Sequence, residues 1–312
     1  MKKRILGFIR QLVGQNIVLD KLQDYKKDVL YENRKNQMIE HILHDSESGI
    51  SEVRYTDHDI IVSLTTYGKR LHDVAFAIES IMQQSLKANR IILWLDETLQ
   101  NRKLPEALVK QQERGLEIAF CKDIGPYKKL IPALRHIPEA AVITIDDDAI
   151  YDFDLLERLV FQHLSNPADI CCFRFHRMTF SENGSLLPYM QWERQCADIR
   201  PSHLNFATGV GGVLYPPHSL DEEVLNEDVF LNICRTADDV WLKAMAIRKG
   251  TRIRPVFARN PDGDEFILNE SVQDIGLLNQ NMKGEMLNDR QIKAVFTKYD
   301  IMSILDQERD SS

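Results

Sequence analysis

The chain has 312 residues, of which 44% are hydrophobic and 28% are charged, and its formal net charge is -8 at pH 7. The hydrophobic content supports a folded core and excludes global disorder, and the length suits one large α/β domain with appendages or two small domains. The negative charge argues against a nucleic-acid partner, because binding to nucleic acids depends on basic residues that neutralise phosphates.

Residues 1–50 are predicted to form a helical extension separate from the main domain. Within residues 1–18, apolar side chains recur at helical spacing beside basic ones, which is typical of a helix lying on an anionic membrane surface. Packing against the main domain or against a second copy in a homo-oligomer is the alternative. No apolar run reaches the about 18 residues of a transmembrane helix, and no signal-peptide cleavage site follows.

The five cysteines form no CxxC pair, so neither a zinc ribbon nor a redox motif is indicated. Reduced thiols are typical of cytoplasmic proteins. The sequence therefore predicts a cytoplasmic location, and the hypothesis of peripheral contact with the inner face of the cell membrane rests on residues 1–18.

From residue 59 onward, predicted strands alternate with predicted helices. Apolar, β-branched runs indicate the strands, and apolar residues at three- and four-residue spacing indicate the helices. The predicted strands are 60–64, 90–95, 116–120, 141–145 and 170–175, and the predicted helices are 74–82, 105–114, 128–136, 153–164 and 238–249. This alternation with short connections predicts an α/β fold whose mostly parallel sheet is covered by helices on both faces.

An acidic triplet, Asp146, Asp147 and Asp148, directly follows the predicted buried strand 141–145. Two unit charges about 4 Å apart repel by about 4 kcal/mol at an effective dielectric constant of about 20. A divalent cation with oxygen ligands would explain the triplet. If the two-residue period of the strand continues, Asp146 and Asp148 point to one side, and Asp147 points to the other. One side would then bind the cation, and the other a ribose or a backbone amide. An acidic helix cap is the alternative.

Further polar side chains are predicted at the same edge of the sheet. They are Lys128 and Lys129 before the triplet, Thr65, Tyr67 and Arg70 after the first strand, and Asp96 after the second. The two lysines suit a diphosphate, or else belong to a solvated helix end. The residues after the first two strands suit a nucleotide. Asp96 taken alone, however, is equally typical of a turn. No GxGxxG or GxxxxGK[ST] motif is present, so neither a dinucleotide site nor a Walker phosphate loop is indicated.

Two later motifs supply further candidates. Gly211 and Gly212 lie in a glycine-rich segment that would permit a flat ligand to approach the main chain, with a simple bend between strands as the alternative. Asp238 and Asp239 open the predicted helix 238–249. Paired acids often cap a helix, but one acid whose pKa is raised by its neighbour is also suited to take a proton from an attacking hydroxyl.

The order of these motifs resembles that of GT-A-fold, nucleotide-sugar-dependent glycosyltransferases, particularly bacterial enzymes of surface-polysaccharide assembly and the fringe-type β1,3-glycosyltransferases. The likeness covers about residues 59–257. It implies a Rossmann-like GT-A domain over residues 51–312, with a nucleotide-binding half at about 59–150, an acceptor half at about 151–260, and a C-terminal helical tail.

The resemblance also implies residue roles. Asp146 and Asp148 match the DxD element that binds Mn²⁺ or Mg²⁺, while Asp146 and Asp147 contact the donor. Asp239, with Asp238 as the alternative, matches the catalytic base of inverting members. The other donor contacts fall on Thr65, Tyr67, Arg70, Asp96, Lys128, Lys129, Gly211 and Gly212.

The implied activity is transfer of a sugar from a nucleotide diphosphate, with UDP-sugars the family's commonest donors, to a hydroxyl of a glycan or lipid-linked glycan. The acceptor class would be a bacterial surface glycan, namely a capsule, O-antigen or lipooligosaccharide, and the attack would invert the anomeric centre. A HAD-like Mg²⁺-dependent phosphohydrolase and a non-catalytic glycan- or nucleotide-binding protein of the same fold are the alternatives.

One feature departs from that family pattern. Many relatives supply a late histidine to the metal, but no histidine follows His218 in this chain. The substitutes available in the sequence are Asn260, Asp262 and Asp264, with water as the remaining option.

Overall fold

The structure is a computed structural model, and it describes residue 22 and residues 25–259, 264–269 and 287–309. Residues 1–18, for which membrane contact is predicted, lie outside this set, as do Asn260 and Asp262. Among the described residues, no helix combines the length and the apolar character that crossing a bilayer requires.

Strands and helices alternate through the first half of the chain. The strands are β1 (Ile60–Thr65), β2 (Arg90–Asp96), β3 (Leu116–Cys121), β4 (Ala141–Thr144), β5 (Ala149–Tyr151), β6 (Ile170–Cys172), β7 (Phe175–Arg177), β8 (Glu193–Arg194), β9 (Asn205–Ala207), β10 (Val213–Tyr215), β11 (Ile253–Pro255) and β12 (Phe266–Leu268). The helices are α1 (25–44), α2 (Val74–Met82), α3 (Glu106–Glu113), α4 (Ile131–His136), α5 (Leu155–Ser165), α6 (Glu227–Ile233), α7 (Asp238–Lys249), α8 (Leu287–Lys298) and α9 (Ile301–Arg309). Short 3-10 helices occur at Gly68–His72, Glu97–Leu99, Gly125–Lys129, Tyr189–Gln191, Gly209–Gly211 and Glu222–Leu225.

In the part of the chain that the structure describes, the central sheet has seven strands in the order β11-β6-β10-β4-β1-β2-β3. Strand β1 is parallel to β2 and β4, β2 is parallel to β3, and β6 is parallel to β11, whereas β10 runs antiparallel to both of its neighbours. Two smaller sheets pair β5 with β12 and place β7 between β8 and β9. Strand β4 is central, so the acidic triplet emerges at the edge where the parallel strands β1 and β2 also end, the edge at which open α/β sheets bind ligands.

Alternate residues of β1 enter two separate cores. Ile60 and Val62 pack in one core with α2, α3 and α5, whereas Ile61 belongs to the core that contains α4, α7, α8 and α9. Successive side chains of a strand point to opposite faces, so an unbroken apolar strand such as β1 fits a sheet covered on both sides. The predicted α/β fold with a mostly parallel sheet flanked by helices is confirmed.

Strands β1 to β4 match their predicted bounds to within one residue, and helices 74–82 and 238–249 match at both ends. The predicted helix 128–136 is wrong at its start, because α4 begins at Ile131 and the preceding Gly125–Lys129 is a 3-10 helix. Leu130, between them, has φ of -128°, outside the helical range. The two lysines therefore precede α4 and do not open it.

The predicted strand 170–175 is divided in two. Strand β6 ends at Cys172 in the central sheet, and β7 begins at Phe175 in a different sheet. Phe173 and Phe175 would share a face if the strand continued, yet they are buried in opposite cores. The chain must therefore turn between them, and a run of apolar residues alone does not reveal this.

Helix α1 contacts the rest of the molecule through its second half. Tyr31, Met38 and Ile42 are buried, and Tyr31 and Met38 pack with Ile150, two residues after the acidic triplet. Residues 25–30 are exposed. Helix α1 thus supports the turn that carries the triplet.

Candidate functional site

The acidic triplet occupies the turn between β4 and β5. Strand β4 ends at Thr144, and Asp147 and Asp148 lie in the turn itself. The predicted alternation of the three side chains is wrong, because strand β4 ends before the triplet begins. Asp147 and Asp148 share one partner, whereas Asp146 faces another.

Arg70 binds two of the three acids. Its Nη1 lies 2.8 Å from Oδ1 of Asp147, and its Nη2 lies 3.0 Å from Oδ2 of Asp148. The hydroxyl of Thr66 donates a hydrogen bond of 2.5 Å to Oδ2 of Asp147. Burial raises the pKa of the Asp147 carboxyl, and Arg70 and Thr66 offset part of that rise. The Arg70 guanidinium, which is predicted to contact a nucleoside, is therefore paired with two acids of the triplet.

Lys129 joins the triplet to the start of α7. Its Nζ lies 3.1 Å from Oδ1 of Asp146 and 3.0 Å from Oδ2 of Asp238. The Lys129 side chain is only 9% exposed. Burial lowers the pKa of this ammonium, but the charges of Asp146 and Asp238 outweigh burial and raise the pKa well above its usual value. Lys129 is thus a fixed cation that links two acidic motifs far apart in the sequence.

Asp238 is buried at the start of α7, and the next acid, Asp239, is half-buried. Oδ2 of Asp239 accepts a hydrogen bond of 3.1 Å from the amide of Gly209. Burial and then the negative charge of Asp238 raise the pKa of Asp239 to about 7, against the opposing effects of Lys129 and the Gly209 amide. A carboxylate with a pKa near neutrality is suited to exchange protons with a substrate hydroxyl.

The glycine-rich segment lies directly against these charges. A Cβ atom at Gly209 would lie 2.6 Å from Nζ of Lys129 and 3.1 Å from Oδ1 of Asp239, so glycine leaves room for the ammonium. At Gly211 a Cβ atom would lie 2.6 Å from Cβ of Arg174, and Gly212 has φ of +82°, a conformation that favours glycine. The predicted Gly211 and Gly212 therefore shape the segment, while Gly209 contacts the acid.

Tyr151 connects the acidic turn to the glycine-rich segment. Its buried hydroxyl accepts a hydrogen bond of 2.8 Å from the amide of Asp146 and donates one of 3.1 Å to the carbonyl of Val210. These two bonds fix the backbone of both parts of the site relative to each other. Such a link cannot be found from the sequence, because an isolated tyrosine in a strand is typical of a core residue.

Four of the predicted site residues lie outside the group formed by Lys129, Asp146, Asp238 and Asp239. The Thr65 hydroxyl donates to the carbonyl of Trp94 at 2.8 Å, and Asp96 accepts from the Thr98 amide at 3.0 Å, as a turn residue does. Lys128 pairs with Asp123 at 2.8 Å. Tyr67 is 41% exposed, and the Arg70 guanidinium lies 5.5 Å from the centre of its ring. The predicted contacts of these four side chains with a nucleotide remain predictions.

The triplet fits a divalent cation by its chemistry. Carboxylates are the ligands that Mg²⁺ and Mn²⁺ prefer, and the Asp146 side chain is 31% exposed, compared with 6% for Asp147 and 8% for Asp148. Within the described ranges, however, no three side chains of His, Cys, Asp or Glu are grouped to hold an ion. Asp146 and Asp148 would therefore need further ligands from a bound donor or from water.

No family model matches the chain, and no curated protein matches it. Among solved structures, it is similar to the mannosyltransferase PcManGT from Pyrobaculum calidifontis in complex with GDP-Man and Mn²⁺, with a TM-score of 0.46 and 14% identity over 90% of this chain and 76% of that one. It is also similar to UTP-bound UGPase from Acinetobacter baumannii, with a TM-score of 0.37 and 10% identity over 74% of this chain and 96% of that one. Both TM-scores lie below 0.5, and neither likeness bears on the activity of this chain.

Proposed function

We propose that this protein is a glycosyltransferase that moves a sugar from a nucleotide diphosphate donor, a UDP-sugar in our proposal, to a hydroxyl group of an acceptor glycan. The proposed acceptor is a bacterial surface glycan or its lipid-linked precursor, which would be elongated on the cytoplasmic side of the membrane. Residues 1–18 are the proposed contact with that membrane.

The observation that carries this proposal is the position of Lys129 between the two acidic motifs. The ammonium lies 3.1 Å from Asp146 and 3.0 Å from Asp238. A donor whose diphosphate lies against the triplet would therefore have its reacting carbon next to the start of α7. Lys129 is placed to offset part of the charge that develops on the leaving diphosphate.

Asp239 is the proposed general base. Its raised pKa allows it to accept the proton of an acceptor hydroxyl near neutral pH, and the Gly209 amide holds its Oδ2 in place. Proton removal by a carboxylate on the side of the sugar opposite to the leaving group predicts inversion at the anomeric carbon. Asp238 pairs with Lys129, so it is the weaker candidate for the base.

Asp146 and Asp148 are the residues that would hold Mn²⁺ or Mg²⁺. When bound, such an ion supplies Lewis-acid stabilisation of the negative charge on a leaving diphosphate. The partners Lys129 and Arg70 would have to share these carboxylates with the ion. In this proposal Thr65, Tyr67, Arg70, Asp96 and Lys128 form the region that receives the nucleoside and its phosphates.

The test is a comparison of two assays on the purified protein. Release of nucleotide diphosphate from a panel of sugar nucleotides, with mixed glycans as acceptors, is expected for the wild type and is expected to be lost in Asp239→Asn. Release of free phosphate from phosphomonoesters, without turnover of any sugar nucleotide, would instead identify a phosphohydrolase. Nucleotide binding with neither activity would identify a non-catalytic binder.

A further inference from the structure

A cluster of basic and aromatic side chains lies on the small sheet formed by β7, β8 and β9. His176 of β7 pairs with Arg194 of β8 and with Phe206 of β9, so these three side chains share one face of the sheet. Tyr189 packs on this face, with its ring centroid 5.3 Å from that of His176 and 5.8 Å from that of Phe206. His176 and Phe206 are buried, Tyr189 is half-buried above them, and Arg194 is exposed beside the cluster.

This cluster adjoins the proposed catalytic acid. The carbonyl of Arg174 accepts a hydrogen bond of 3.1 Å from the Thr208 amide, and Thr208 directly precedes the glycine whose amide binds Asp239. Gly211, at the end of the same short helix, lies against the Cβ atom of Arg174. Arg174 and Asp239 therefore both contact the glycine-rich segment, Arg174 at Gly211 and Asp239 at Gly209.

The positive charges of this cluster are poorly matched within the protein. Arg194 is exposed, and in the described ranges its side chain contacts Sδ of Met190 at 3.7 Å but no carboxylate. Arg174 has a long ion pair of 3.8 Å with Asp264. By contrast, Arg200, which lies between β8 and β9, binds Asp198 at 2.8 Å. Two weakly paired arginines near Asp239 produce a local positive potential, which attracts anions.

His176 adds an unsatisfied polar atom to the same place. The imidazole is 6% exposed, and its Nδ1 has no hydrogen-bond partner in the part of the chain that the structure describes. Burial and then the charges of Arg174 and Arg194 lower the pKa of His176 to about 4, so the ring is neutral at physiological pH. A buried neutral imidazole without a hydrogen-bond partner is costly. Because Nδ1 is itself covered, a ligand hydroxyl or anion would satisfy it only after the side chains above it moved.

We infer that Arg174, His176 and Arg194 form an acceptor subsite for an anionic group, with Tyr189 as the surface on which the acceptor sugar stacks. This inference rests on the proposed function and gives it a substrate class, namely a glycan that carries a phosphate or a carboxylate close to the attacking hydroxyl. The two arginines bind the anion through charge-assisted hydrogen bonds, and the Tyr189 ring binds the apolar face of the sugar.

The test measures binding of three sugars by calorimetry: glucose 1-phosphate, glucuronic acid and methyl glucoside, each with and without the nucleotide that the protein binds most tightly. At least one anionic sugar is expected to bind about tenfold more tightly than methyl glucoside. Preference for glucose 1-phosphate alone assigns the anion to a phosphate, and preference for glucuronic acid alone assigns it to a carboxylate. Equal binding of all three sugars would overturn the inference.

Variants separate this subsite from the donor site. Arg194→Ala, in which an exposed side chain is shortened, is expected to reduce the anionic preference to about the level of the neutral sugar, and Arg174→Ala is expected to act in the same direction. The matched control, Arg200→Ala, is expected to keep the preference. Nucleotide binding should be unchanged in all three variants. Loss of nucleotide binding in Arg194→Ala with the sugar preference intact would contradict the inference, whereas failure of the wild type to bind any nucleotide would contradict the proposed function alone.

Discussion

The ammonium of Lys129 lies 3.0 Å from the carboxylate of Asp238, and this ion pair joins the 3-10 helix Gly125–Lys129 to the first turn of α7. The same ammonium lies 3.1 Å from Asp146. Breaking such a buried pair leaves carboxylates uncompensated, so the lysine is both a structural link and the source of positive potential at the site.

Replacement of the proposed base should separate catalysis from binding. Asp239→Asn keeps an oxygen that can accept the hydrogen bond from the Gly209 amide but cannot take a proton. General-base catalysis contributes about 10²- to 10⁴-fold, so kcat is expected to fall by at least about a hundredfold while nucleotide affinity changes little. The control is Asp228→Asn, an exposed acid in the first turn of α6, which should retain full activity. Unchanged turnover in Asp239→Asn would show that the base is another residue.

The activity is expected to depend on pH through the same carboxylate. Asp239 must be ionised to act as a base, and its pKa is about 7. The value of kcat/KM should therefore rise with pH through about 7 and level off above it, because kcat/KM reports ionisation in the free enzyme. A profile that stays flat between pH 5 and pH 9 would exclude Asp239 as the titrating group.

Protein stability should show the opposite trend. The Asp239 pKa is raised from 3.8 to about 7 on folding, so between these values the folded protein holds more protons than the unfolded chain and loses stability as pH rises. Each pKa unit corresponds to about 1.4 kcal/mol. Asp239→Asn removes the titration and is therefore expected to raise Tm at pH 8, by an amount that shrinks toward pH 5. A Tm gain of the same size at both pH values would point to a cause other than ionisation.

Neighbouring lysines offer a matched comparison. Lys129→Met leaves Asp146 and Asp238 without their cation, which is expected to cost about 3 kcal/mol in the free energy of unfolding. Because Lys129 also lowers the pKa of Asp239, its loss should shift any remaining pH–activity profile to higher pH. Lys128→Met leaves only Asp123, whose side chain is 63% exposed, so a much smaller change is expected. Equal losses of stability in the two variants would contradict the role assigned to Lys129.

Much of the fold could be predicted from the sequence because the parallel strands are buried on both faces and read as unbroken apolar runs. Strand β1, with Ile60, Ile61 and Val62 in a row, is such a run. The acidic triplet was equally visible, since a group of carboxylates after a buried strand has few structural explanations. The prediction of a single strand over 170–175 is wrong for a related reason, because an apolar run does not show where a chain passes from one sheet to another.

The partners within the site could not be predicted, because they depend on side chains brought together from distant segments. Lys128 and Lys129 are equivalent in sequence, yet Lys128 pairs with Asp123, and Lys129 reaches Asp146 and Asp238. The 3-10 helix that contains both lysines orients Lys129, and not Lys128, toward the site. The ion pair between Arg70 and Asp147 and the hydrogen bonds of the Tyr151 hydroxyl likewise depend on the packed structure, and no local sequence pattern indicates them.

The most direct test of the account is nucleotide binding followed by thermal unfolding, with and without Mn²⁺, in the wild type and in Asp146→Asn. One nucleoside diphosphate, UDP in our proposal, is expected to stabilise the wild type by about 2.7 kcal/mol at a hundredfold excess over its Kd. This stabilisation should depend on Mn²⁺ and should largely disappear in Asp146→Asn. If no nucleotide raises Tm of the wild type, with or without the metal, the proposal that this site uses a nucleotide sugar is wrong.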